Sequence, residues 1–71
     1  MNKNSSLNLN ELAQYIWENG TYIDTREYYQ QRLALYSVKK TFYELYYSTA
    51  TNEINKITEV DIDTIAKFYF Q

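Results

Sequence analysis

Apolar residues recur along this chain with two different periods, and the change from one to the other divides it. Leu9, Leu12, Ala13 and Ile16 stand at i, i+3, i+4 and i+7, the spacing of one face of an α-helix. Asn8 precedes them as an N-cap, and Glu11, at the third helical position, can reach back to it. Leu7 and Leu12 occupy the two positions of a hydrophobic staple. Asn19-Gly20 supplies the stop, with the chain's only glycine where a left-handed C-cap residue is wanted. The pattern predicts a helix over about Leu9–Asn19. Asn-Gly between QYIWE and TYID is also a hairpin signal, but that reading leaves Leu9 and Leu12 without a role.

From Leu33 the apolar positions become too dense for a helix. Leu33, Leu35, Tyr36, Val38, Phe42, Tyr43 and Tyr46 would surround a helical barrel on every side, which a short chain cannot bury. Tyr, Phe, Val and Thr suit a pleated surface instead, so we expect strands over about Gln30–Val38, Thr41–Ser48 and Ile54–Val60. Thr49–Glu53 makes a five-residue connection in which Asn52 can take positive φ. The Lys39-Lys40 turn is the weak joint, because neither lysine favours the positive φ of a two-residue hairpin; a longer loop or a bulge is the alternative. Residues 21–27 carry conflicting signals. Asp24 and Glu27 could cap a helix, while Thr21, Tyr22, Ile23 and Thr25 prefer extended structure, so no element is assigned. Asp61 then caps a second helix with a stripe of Ile62, Ile65, Ala66 and Tyr69, beside Phe68 and Phe70.

The expectation is a small α+β fold of order αβββα. A three-stranded antiparallel meander carries two short helices packed on one face, with a disordered arm over residues 1–6 and a single domain over residues 7–71. If the Lys39-Lys40 turn has two residues, Tyr36 faces Tyr43 and Ala34 faces Leu45 on one surface, and Ile57 joins them. That surface, with Val38 and Tyr47, is the natural core. The other carries Leu33, Leu35, Phe42 and Tyr46 beside Glu44 and Lys56. Two helices of about ten residues cannot cover both faces of such a sheet, so these six residues are expected to meet a partner chain, most simply a second copy. A one-residue slip in register would exchange the two surfaces.

Composition narrows the chemistry. Without cysteine or histidine there is no disulfide, no thiolate metal site and no usual base for a nucleophile. With one glycine there is also no phosphate-cradling loop, so the chain reads as a non-enzyme without a cofactor, and no small-molecule substrate is identified. Glu44, mid-strand among apolar neighbours, reads as an ion pair with Lys56 or Arg32 in preference to a general acid or base. Glu59, Asp61 and Asp63 read as a solvated helix start in preference to a cation site. A net charge of −2 weighs against phosphate binding. Nucleic-acid association through exposed aromatics is therefore the alternative to protein–protein interaction or homodimer formation. No apolar run reaches a membrane span and the first ten residues are not a secretory signal, so a cytoplasmic location is expected. The wealth of Asn, Lys, Ile and Tyr, nine tyrosines among 71 residues, suits an AT-rich, bacterial coding sequence.

Overall fold

Helix α1 (Leu9–Asn19) begins with the reciprocal cap that its sequence encodes. In the computed structural model, which describes residues 8–70, the Glu11 N–H donates to Asn8 Oδ1 at 2.8 Å and the Asn8 N–H donates to Glu11 Oε1 at 3.0 Å. The staple residue Leu7 and the arm over residues 1–6 lie outside the described residues. Ala13 and Ile16, central to the predicted stripe, are fully buried. Gly20 ends the helix, but not in the left-handed conformation expected of it. Its backbone is extended (φ −99°, ψ 171°) and its N–H closes on the Ile16 carbonyl at 2.7 Å. Glycine is required here for space: a Cβ would stand 2.6 Å from that carbonyl oxygen and 2.9 Å from Val38 Cγ2. The close approach seats the end of α1 on the sheet.

Four strands follow, one more than expected: β1 (Thr21–Tyr28), β2 (Gln31–Val38), β3 (Thr41–Ser48) and β4 (Ile54–Val60), paired antiparallel in chain order. β1 is the strand that residues 21–27 concealed. It lies at the sheet's edge and stays largely accessible, so it carries no buried alternation to read. A bulge between Tyr22 and Asp24 also shifts its register in mid-strand. At that point the Thr25 N–H is occupied by the neighbouring Asp24 carboxylate at 2.8 Å, which blunts the edge.

The central register is the one that a two-residue Lys39-Lys40 turn dictates, with Val38 opposite Thr41 and Tyr36 opposite Tyr43. Lys39 supplies the left-handed residue (φ 58°), Tyr29 does the same in the β1–β2 turn (φ 57°), and Asn52 takes φ 62° in the longer loop. One face of the sheet is therefore the predicted core. Val38 and Leu45 pack against Ala13 and Ile16, flanked by Tyr36, Tyr43, Tyr47, Ile54 and Ile57. Trp17 closes its rim with a hydrogen bond from Nε1 to the Tyr47 hydroxyl at 3.0 Å.

Helix α2 (Ile62–Tyr69) starts at Asp61, whose Oδ1 accepts from the Thr64 N–H at 2.9 Å. It does not join α1 on that face. Its Tyr69 reaches Glu44 on the opposite side of the sheet, so the helices sandwich the strands in an α/β/α arrangement. The physical reason lies in the strands. α1 already fills the first face, while Leu33 and Leu35 on the second need cover, and Ile65 of α2 is buried as it supplies that cover. Both helices join the sheet through single residues, Gly20 and Asp61. Among the described residues no helix is long and apolar enough to cross a membrane.

Candidate functional site

Antiparallel pairing sorts the side chains of the α2 face into rows that cross the sheet. One row reads Asp24, Leu35, Glu44 and Thr58; the next Arg26, Leu33, Tyr46 and Lys56; the last Tyr28, Gln31 and Ser48, with Asn55 at a bulge in β4. Leu33, Leu35, Phe42, Glu44, Tyr46 and Lys56, the six residues expected to meet a partner, are thus brought together on one face. They differ in access. Leu33 and Leu35 are fully covered and Glu44 is 2% exposed, whereas Phe42 and Tyr46 are half-buried and Lys56 is exposed. The cover comes from the chain itself, through α2 and through Arg26 of the strand that the sequence did not reveal.

Arg26, Glu44 and Tyr69 form a part-buried polar cluster. Glu44 Oε2 accepts from Arg26 Nε at 3.0 Å and from the Tyr69 hydroxyl at 2.8 Å. A carboxylate taken out of water costs several kcal/mol, and two donors on one oxygen, one of them charged, are what offset it. The guanidinium also lies 4.2 Å above the Phe68 ring and within 6 Å of the Tyr28 and Tyr69 rings. Burial raises the Tyr69 pKa, and the hydrogen bond to Glu44 and its charge raise it further, with Arg26 opposing. Burial acts downward on Arg26, but the bond to Glu44 and its charge outweigh that and its pKa rises. The cluster fastens α2 to the sheet by holding two elements on one carboxylate.

Arg26 is therefore the partner of Glu44, in place of the expected Lys56 or Arg32. Lys56 Nζ sits 4.8 Å above the Tyr46 ring, its cross-strand neighbour. Arg32 points to the α1 side, opposite Tyr47, with Glu27 3.9 Å away. Thr58 Oγ1, across from Glu44, is buried without a hydrogen-bond partner among the described residues. In the acidic cluster Asp61 is spent on its cap: the Thr64 backbone N–H holds its carboxyl below the usual range. Among the described residues no group of three or more His, Cys, Asp or Glu could hold a metal ion.

Beyond α2 the sheet face lies open. Tyr28 is 47% and Phe68 40% exposed on either side of Arg26, with Tyr46 and Lys56 in the same surface. At the end of the strands it continues into a groove of about 750 Å³ between the Tyr29-Gln30 turn and the Thr49-Ala50 loop. Tyr28, Tyr29 and Phe68 were absent from the expected surface. The spacing Arg26, Tyr28 was the available signal, since alternate residues of a strand share a face, but it becomes readable only once β1 is known to be a strand. Comparison with protein-family models, with curated proteins and with solved structures gives no match.

Proposed function

We propose that this chain acts by binding protein, in the simplest case a second copy of itself, through the part of the α2 face that its own helix leaves open. The observation that carries this reading is the grouping of Tyr28, Phe68 and Tyr46 with Arg26 and Lys56. These are half-exposed aromatic rings, each with a cation over it, set on rigid strands and one short helix. Aromatic and arginine side chains fixed in this way lose little entropy on association and dominate the energetics of protein interfaces. Arg26 is paired with Glu44, and Lys56 stands over Tyr46, so both cations of this grouping are engaged within the chain, which weighs against a phosphate backbone. Simple strand addition at β1 is opposed by the bulge and by the carboxylate on the Thr25 N–H, which favours a contact through side chains at that edge.

Sedimentation velocity on the full chain, from about 5 to about 500 μM, tests this. The expected result is a mass that rises toward the dimer with concentration. In Tyr28→Ser and Phe68→Ser, checked for native circular dichroism, that rise is expected to vanish. A monomer at every concentration, or a dimer indifferent to both substitutions, removes the assignment.

A further inference from the structure

We infer that the groove at the open end of the strands is a binding site for a neutral saccharide. This goes beyond the protein-binding reading and rests on different side chains, with only Tyr28 common to both. Among the described residues eight line the groove and none is charged: two tyrosines, an alanine, and otherwise amides and hydroxyls such as Gln31, Ser48, Thr49 and Asn55. In a chain where 23% of residues are charged, an uncharged lining of this kind selects against phosphates, carboxylates and ammonium groups.

The hydrogen-bonding groups are held in position. Gln31 Nε2 donates to Asn55 Oδ1 at 3.4 Å across the sheet. That pairing leaves Gln31 Oε1 and Asn55 Nδ2 side by side, and flipping both amides would likewise leave one carbonyl and one amino group. A hydroxyl pair on adjacent sugar carbons offers the complementary donor and acceptor, because each hydroxyl does both. Ser48 Oγ already accepts from the Ala50 and Thr51 N–H groups at 3.2 and 3.3 Å, so its own proton is directed to an acceptor. The aromatic wall is equally defined. Tyr29 is 87% exposed and takes a left-handed conformation that bulky residues seldom adopt, and its ring stands 4.7 Å from that of Tyr28. Rings displayed beside amides and hydroxyls match the two aspects of a pyranose, an apolar C–H face and a rim of hydroxyls.

The test is a ¹⁵N–¹H NMR titration of the full chain with cellobiose, lactose, maltose, mannobiose and N,N′-diacetylchitobiose, with glycerol and Gly-Gly amide as controls. At least one disaccharide is expected to give saturable shifts, with a Kd on the order of 1 mM, confined to residues 28–31, 48–50 and 55. Tyr29→Gly, which removes the ring while relieving the backbone, and Gln31→Ala are each expected to weaken that binding about fivefold or more. The inference is overturned by the absence of saturable shifts with every disaccharide at about 50 mM, by shifts unaffected in both variants, or by saturation of the same residues with the peptide amide alone.

Discussion

On the α1 face, Ala13 and Ile16 meet Val38 and Leu45 in a wholly apolar contact, close enough that only glycine fits at position 20. On the α2 face, Leu33 and Leu35 lie beside a buried carboxylate that is held by an arginine from one edge strand and a tyrosine from a helix. The same four strands thus carry two kinds of attachment. The first rests on complementary shape, and its loss should scale with the volume disturbed. The second rests on completing a charge, so it fails as a unit when one member is removed.

The largest test of that contrast is Arg26→Ala, which strands Glu44 in the interior. Chemical denaturation should show a loss of about 3 kcal/mol, the lower end for a broken buried pair because Arg26 keeps some access to solvent. Replacing Arg26 by Met and Glu44 by Leu together should return most of it, since the cost lies in the uncompensated charge; a double variant as unstable as the single one contradicts the contrast. Gly20→Ala probes the other face. Its Cβ would press on the Ile16 carbonyl and on Val38, and overpacking of this kind should cost about 2 kcal/mol in the same measurement with no charge altered.

Tyr69→Phe gives the smallest effect, about 1.5 kcal/mol at neutral pH for a hydrogen bond to a carboxylate at a half-buried site. It also changes the alkaline limb. Because folding raises the Tyr69 pKa, its contribution is fully present below the unfolded value of about 10 and is lost as pH rises through the higher folded value. Wild type should therefore lose stability more steeply above pH 10 than Tyr69→Phe. The variant should retain a shallower decline from Tyr36 and Tyr47, which burial also pushes up on the α1 face. Parallel alkaline limbs in the two proteins would show that Tyr69 is not the fastening.

How far these features could be read in the sequence follows from where the information sits. The capping box at Asn8, the helix over Leu9–Asn19, both ends of β3 and of β4 and the pairing of Tyr36 with Tyr43 were legible because each depends on neighbours in the chain or on one turn. The core face followed from that register. β1 was not legible, since an exposed, bulged edge strand has no buried period, and with it went Arg26, the partner of Glu44. The side taken by α2 was hidden for a related reason: Ile65 could have packed on either face, and only the occupancy of the first by α1 decides it. Of the candidate surface, Tyr46 and Lys56 were found in sequence, and Tyr28, Tyr29 and Phe68 were not.

The single-residue joints at Gly20 and Asp61 limit how this molecule can change shape. Each is an extended residue that also caps its helix, Gly20 at the C-terminus through a backbone bond to Ile16 and Asp61 at the N-terminus through its bond from Thr64. A joint of one residue leaves only its φ and ψ free, so a helix can leave its face only by turning about those two bonds against the cap that fixes them. Uncovering Leu33 and Leu35 then means giving up the Tyr69–Glu44 hydrogen bond and the burial of Ile65, while the strand ladder can stay paired. Under the proposed function, the surface around Tyr28 and Phe68 would then meet a partner largely preformed, because it is carried by the strands and by a helix fastened to them.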